Sequence, residues 1–466
     1  MRQGVPLWQA DLPGDSPGPG LDGDTRADVC IVGGGYTGLW TAYHLMRAEP
    51  GLRVVVLEEH RVGFGASGRN GGWCSALFPV STSALERRHG REAALAMRRA
   101  AIASVHDLGT LTAAEGIDCD FVRGGTVVVA RGAAAMSMAQ AQAQEAAAYG
   151  VDTVELLDAD ALARHVRVRG ASGGTFNPDC ARLHPGRLVR GLAAVVRRQG
   201  VTVAEGTRAL EVLPGAVRTA TGTVHCDHVV RATEGYTAAL AGAPRRALAP
   251  VYSLVLATPP LPQFIWDQIG LSRGQTFSEH RHLVIYGQRT ADDRLVFGGR
   301  GAPYHWRSAT SARFDTDPRV HRSLAALAGE LFPALASAPI AAGAERLHGV
   351  PVEHTWGGPL GIPRDWHPGV GLDARTRIGW GGGYVGDGVA LSQLAGATLA
   401  DLVCGRSTSR TALAWVGHRS PAWEPEPFRW LGMNAGLVLA RAADAHERRS
   451  GRPSPLGPVL ARFTGH

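Results

Sequence analysis

Apolar positions fall into two regimes along the chain. In the first, a short apolar run at 27–32 ends in a cluster of glycines, and helical spacing follows from Tyr36 to about Arg47. Pro50-Gly51 breaks that helix, and 53–57 is a second, β-branched run. Strand, glycine turn, helix and strand predict a βαβ opening. Segments 83–115 and 133–165 are Ala-rich and helical in period, around a strand at 125–130. A helix at 185–199 leads into a strand at 201–204, and 224–233 is again strand-like. Residues 1–26 are polar and rich in Pro and Gly, and read as an extended arm.

From about 250 to 345 the pattern changes. Runs at 251–258, 282–288 and 294–297 read as strands separated by turns, with a helix near 318–331. This predicts an antiparallel sheet, unlike the parallel opening. A strand at 376–380 then meets Gly381-Gly382-Gly383, with a helix from about Val389 to Cys404. The tail at 427–448 is helical and amphipathic, and 170–174 and 451–458 read as ordinary loops. A length of 466 residues predicts two interlocked domains, and 45% apolar residues suit a packed enzyme.

The net charge of +7 rests entirely on arginine, because the chain has no lysine. That excludes Schiff-base chemistry and a lysine-bearing phosphate loop. The arginines are scattered, which argues against nucleic-acid binding. Six cysteines without a C-x-x-C pair read as isolated thiols in a reducing compartment. No signal-peptide pattern opens the chain, and no apolar run is long enough to span a membrane, so a cytoplasmic location is expected. His280-Arg281-His282 lacks a third ligand at suitable spacing for a metal.

Gly33-Gly34-Gly35-Tyr36-Thr37-Gly38 fits G-x-G-x-x-G, between a strand and a helix. Gly33 permits the tight turn, Gly35 lets backbone approach a pyrophosphate, and Gly38 lets helix and strand pack closely. The helix start offers free N–H groups and a positive dipole end. Glu58, ending the next strand, is set to accept from both ribose hydroxyls of an adenosine, and disfavours a 2′-phosphate. A second small-residue loop follows: Gly65-Ala66-Ser67-Gly68-Arg69-Asn70-Gly71-Gly72. A nicotinamide domain does not need it. An extended FAD does, since its ring must be walled by close backbone. Arg69 and Asn70 are candidates to bond the pyrophosphate or ribityl chain. The loop holds no histidine, so FAD is expected to be non-covalent.

With these motifs the sequence resembles the D-amino-acid oxidase superfamily of FAD-dependent oxidoreductases, most closely its branch of γ-glutamylputrescine-oxidoreductase-like proteins. The likeness is strongest from Ala27 through Gly72. It continues in Gly124-Gly125-Thr126, Leu183-His184-Pro185-Gly186-Arg187-Leu188 and Val229-Val230-Arg231-Ala232-Thr233. It returns in Trp356-Gly357-Gly358, in Gly383-Tyr384-Val385-Gly386-Asp387-Gly388-Val389, and in Glu426 through Gly432. The resemblance implies an α/β fold: a Rossmann-like FAD-binding domain assembled from discontinuous segments (27–80, 180–250, 346–410). An α+β substrate domain with a mainly antiparallel sheet (81–179, 251–345) and a C-terminal helical tail (411–466) complete the expected chain.

The resemblance also implies oxidation of a C–N bond of an amine or amino acid to an imine, which water hydrolyses, with oxygen or another electron acceptor reoxidising the flavin. It places Ala209, Ala232 and Thr233 at the adenine and pyrophosphate, and Gly386, Gly388 and Val389 at the flavin. There a helix start stabilises the charge of the reduced ring. The chain departs from the pattern at Asp387, where many relatives carry His, and at Gln288, in a slot that is often Arg. Arg289 is its neighbour, and adjacent strand residues face opposite ways. Tyr286 and Gln288 share the face expected to line the pocket, with Tyr252 and Asp387 as further substrate candidates. Hydride transfer demands little acid–base chemistry, so no catalytic residue is assigned. The competing readings are an FAD monooxygenase using NAD(P)H and a flavin-binding protein without turnover.

Overall fold

The computed structural model describes residues 1–10, 12, 17–151 and 153–464. Two large sheets organise it. The first has eight strands around a parallel core. Thr25–Val32 lies between Val54–Leu57 and Thr223–Arg231, parallel to both. Thr202–Ala204 extends one side, and Ile378–Gly382 pairs parallel with Thr223–Arg231 on the other. Three stretches far apart in sequence, 25–57, 202–231 and 378–382, thus make one sheet. Strands buried on both faces need continuous apolar runs, and Val29, Ile31, Val56, Val229 and Val230 are all buried. Helices Tyr36–Ala48, Pro185–Arg198 and Gly388–Val403 cover it. Pro185 at the first turn and the His184 cap, whose Nδ1 accepts from Arg187 N at 3.1 Å, start the middle one.

The second sheet has nine strands in the order Arg2–Gln3, His354–Pro363, Leu248–Ala257, Leu295–Arg300, Ile285–Arg289, Thr276–Glu279, Thr126–Ala130, Gly173–Asn177 and Glu155–Asp158. Only its first pair and the pair of Thr276–Glu279 with Thr126–Ala130 run parallel. Its own core includes Trp266, Phe277, Phe297 and Phe332.

Several expectations change. The arm is docked: Arg2–Gln3 adds an edge strand, and Leu7 and Trp8 are buried at 2% exposure. An apolar Leu-Trp pair in a polar arm is reason enough to dock it. Residues 11 and 13–16 of that arm lie outside the described residues. Helices Thr82–His89 and Arg91–Ala114, expected with the substrate unit, share the core of the parallel sheet through Leu85, Met97, Val105 and Leu108. Gly173 and Gly174, expected in a loop, begin a strand. Their missing side chains make room for the Leu157 and Val128 carbonyls of neighbouring strands. The tail forms helices Phe428–Ser450 and Gly457–Thr464. Among the described residues, no helix is long and apolar enough to cross a membrane, and the six cysteines are free.

Candidate functional site

The first glycine turn sits at the carboxyl edge of the parallel sheet. Gly33 has φ +113°, and a Cβ there would lie 2.5 Å from the Ala232 carbonyl. A Cβ at Gly38 would lie 2.0 Å from the Gly33 carbonyl, so the helix can approach the strand only without one. Gly35 caps the helix with no side chain, and a Cβ there would meet Ser67 Oγ at 2.8 Å. Ser67 Oγ accepts from Tyr36 N at 2.9 Å, which puts the second small-residue loop over the helix start.

A cleft of about 500 Å³ runs from this turn between the two sheets. Gly33, Gly35, Tyr36, Thr37, Glu58, Gly65, Ala66, Ser67 and Asn70 line it, as do Ala209, Ala232, Thr233, Gly386, Gly388 and Val389. The sequence assigned all of these to the cofactor, and the fold gathers them on one surface. Glu58 Oε2 accepts from Gly34 N at 2.8 Å and Oε1 from His60 N at 3.0 Å. Burial pushes its carboxyl up to about 7, against those two bonds.

Arg69 and Asn70 have partners inside the protein. The Arg69 guanidinium donates to the Phe64 and Gly357 carbonyls and pairs with Asp315. Asn70 donates to Ala66 O and Ser67 O and accepts from Gly72 N. Both therefore shape the loop. Three other side chains hold its successive carbonyls: Trp356 Nε1 bonds Arg69 O at 2.8 Å, Trp8 Nε1 bonds Asn70 O at 2.7 Å, and Gln288 Nε2 bonds Gly71 O at 2.6 Å. They come from three separate strands or arms, so the wall of the cleft is fixed from outside.

The last glycine turn closes the other end. Glu234, which follows Ala232 and Thr233 beyond the strand Thr223–Arg231, accepts from Gly383 N at 3.0 Å and Tyr384 N at 3.4 Å. Burial holds its carboxyl at about 7. Tyr384 OH meets Thr37 Oγ1 at 2.9 Å, which ties the last turn to the first helix. Asp387 precedes the helix Gly388–Val403 without a side-chain cap bond. Burial raises its carboxyl to about 6, opposed by the Ser75 hydroxyl and the Arg300 and Arg98 guanidiniums.

The strand Ile285–Arg289 alternates as expected. Tyr286 and Gln288 face the small-residue loop: a Cβ at Gly71 would strike the Tyr286 ring at 2.3 Å, and one at Gly72 would strike Gln288 Nε2 at 2.0 Å. Arg289 points the other way, onto Asp293, Gln263 and the Trp266 ring. Tyr286 OH bonds Ser253 Oγ at 2.9 Å. Arg300, on the next strand, bonds the Val385 carbonyl and lies near Tyr286 and Asp387. Tyr252 lines the cleft elsewhere, its hydroxyl accepting from Ser311 N at 3.1 Å. The structure thus groups Tyr286, Arg300 and Asp387, sets Gln288 behind Gly71, and leaves Tyr252 apart. Arg300, Glu234 and Trp8 were missed. The signal for Arg300 was its place two residues after Gly298, on the face that the Tyr286 ring covers.

A parallel sheet with two glycine turns at its carboxyl edge, a half-buried acid after the second strand and an antiparallel sheet opposite defines a dinucleotide-dependent redox enzyme. The bare backbone at Gly33 and Gly35 and the elongated cleft between the two glycine turns fit a dinucleotide such as FAD. The family model described as FAD dependent oxidoreductase (DAO) matches residues 28–402, and the chain belongs to that family. It is 30% identical over 406 residues to γ-glutamylputrescine oxidoreductase of Escherichia coli, covering 85% of this chain and 88% of that one. It is 30% identical over 422 residues to a probable oxidoreductase, OrdL, of Rhizobium meliloti, covering 88% and 90%. Its fold is similar to that of glycine oxidase from Geobacillus kaustophilus, with a TM-score of 0.66 at 21% identity over 84% of this chain and 99% of that one.

Proposed function

We propose that this FAD-dependent enzyme oxidises a C–N bond of a primary or secondary amine, or of an amino acid, to an imine that water then hydrolyses. The observation that carries the reading is the group Tyr286, Arg300 and Asp387, set between the small-residue loop and the last glycine turn. Relatives whose names specify amine or amino-acid oxidation support it. FAD, held non-covalently in the cleft, would supply a two-electron acceptor for the hydrogen on the substrate carbon. The protein's part is to bind and orient. Tyr286 and the Gly71 backbone form one wall, and Gln288 fixes that wall through the Gly71 carbonyl. The start of the helix Gly388–Val403 directs N–H groups and its dipole toward negative charge developing in the cleft. A carboxylate on the substrate is met by Arg300, not Arg289. No side chain is assigned as a base, because an amine bound in its neutral form carries no ammonium proton to be removed before its C–H bond breaks.

The test is anaerobic bleaching of the purified yellow protein against a panel of amines and amino acids. One class should bleach the flavin, with a rate that rises with pH through a single apparent pKa of the bound amine. Steady NAD(P)H consumption in place of bleaching would establish a monooxygenase instead. FAD should leave the protein intact on denaturation.

A further inference from the structure

Behind the small-residue loop lies a second cavity, of about 420 Å³, separate from the cofactor cleft. Its walls come from the N-terminal arm (Trp8), the segment around Arg182 and Arg187, and the turn after Ile285–Arg289. Two polar groups in it lack partners among the described residues. The Arg182 guanidinium has no hydrogen bond or ion pair, and its Nε is buried. Gln288, at 1% exposure, bonds Gly71 through Nε2 and leaves Oε1 buried and unpaired. An unpaired buried polar atom is costly, so one donor and one acceptor left open in the same cavity point to a polar ligand.

The chemistry of that ligand follows from what is already paired. Asp120 holds both oxygens 3.0 Å from Arg187 Nη1. Asp292 accepts from Thr290 Oγ1 at 2.6 Å and from Arg294 Nε at 2.7 Å. Both carboxylates act on Arg182 from a distance, yet each is bonded elsewhere. Arg182 is therefore a donor without an acceptor, partly desolvated, and its pKa falls for that reason. Gln288 Oε1 is an acceptor without a donor. A planar guanidinium suits a carboxylate, and the amide oxygen suits a hydroxyl or amine beside it. Ala291, exposed at the turn, gives the cavity an opening to solvent.

We propose that this cavity is a binding site for a small carboxylate that carries an adjacent hydroxyl or amine, with Arg182 as its anion partner and Gln288 Oε1 as its acceptor. The ligand is either the far end of an elongated substrate or a separate small molecule. In both cases it touches Gln288, and through it the Gly71 carbonyl that walls the cofactor cleft. Binding in this cavity does not depend on the amine chemistry proposed above.

The experiment is calorimetric titration of the FAD-loaded protein with 2-hydroxyglutarate, glutarate and the neutral glutaramide, with the flavin absorbance followed in parallel. The hydroxy acid should bind best, the diamide not at all, and the flavin bands should shift on binding. Arg182→Gln should weaken the hydroxy acid at least tenfold while retaining FAD. Ala291→Phe, which fills the mouth and keeps the charge, should also weaken it, so the result does not hang on one variant's folding. No binding at 10-fold millimolar excess, or equal binding by wild type and both variants, overturns the site. Kinetics with amines that bleach the flavin then assign the source. Competition only against amines with a distal carboxylate identifies the substrate's far end. Inhibition or activation that is not competitive with any amine identifies a separate ligand. Equal competition against all amines places the acid in the catalytic pocket and overturns the proposal.

Discussion

Burial pushes the Glu58 carboxyl up to about 7, against the two backbone N–H groups that donate to it and favour its ionised form. Its pKa is raised above the ordinary value of 4.5, so its contribution to apo-protein stability is full below 4.5 and lost as pH rises through about 7. With Glu58 at the ribose, as proposed, FAD binding should have the opposite preference, because only the ionised form would accept from both hydroxyls. FAD affinity should therefore fall as pH drops below about 7 in wild type and stay flat across that range in Glu58→Gln. At pH 8 the variant should bind FAD about 1.5–3 kcal/mol more weakly, the usual worth of a charged hydrogen bond. Equilibrium titration of apo-protein with FAD measures both effects. Asp387 lends itself to a similar test. Above about 6 it puts a negative charge at the start of the helix Gly388–Val403, which is proposed to face the flavin. Asp387→Asn should raise the flavin midpoint potential at pH 8, and the difference should vanish at pH 5. A potential that is equal at both pH values would show that the carboxylate does not sense the ring.

At the scale of elements, the strand Ile285–Arg289 shows what alternation can and cannot give. Parity alone put Tyr286 and Gln288 on one face and Arg289 on the other, and the contacts with Gly71 and Gly72 agree. Tyr286→Phe and Gln288→Ala should slow amine-dependent flavin reduction in stopped flow while FAD content holds. Arg289→Ala should leave the rate within about twofold, since its partners lie on the outer face. A crippled Arg289→Ala with a normal Gln288→Ala would reverse the register. The βαβ opening was legible because a continuous apolar run, a glycine turn and a helical repeat each have one reading. Arg300 was not, because the strand was read as ending at Phe297 and the arginine fell beyond it. The partners of the helices at 82–114 were illegible for another reason: an Ala-rich stripe says that a face is buried, not against which sheet. Arg69 looked like a phosphate ligand because its counter-ion, Asp315, lies far away in sequence.

The whole molecule is two sheets with separate cores that meet along the cofactor cleft. Bonds that join one to the other include Arg69 with Asp315, Trp8 with Asn70, Trp356 with Arg69, Gln288 with Gly71, and Arg300 with the Val385 carbonyl. An elongated ligand in that cleft touches both sheets, so it should stabilise their union as well as each sheet. Stabilisation by a ligand that binds only the folded protein grows as RT ln(1 + [L]/Kd), about 2.7 kcal/mol at a hundredfold excess. The thermal midpoint of wild type should therefore climb with added FAD. Gly35→Val removes this coupling selectively. Its side chain would push into Ser67 Oγ, which now receives the Tyr36 N–H, and would fill the space that a pyrophosphate needs. The variant should purify colourless, melt near the apo wild-type midpoint, and show no dependence on FAD concentration. Differential scanning calorimetry distinguishes this from a general folding defect: a variant that melts well below apo wild type has lost more than its cofactor. If Gly35→Val instead kept FAD and its concentration-dependent midpoint, the pyrophosphate would not lie on the first glycine turn.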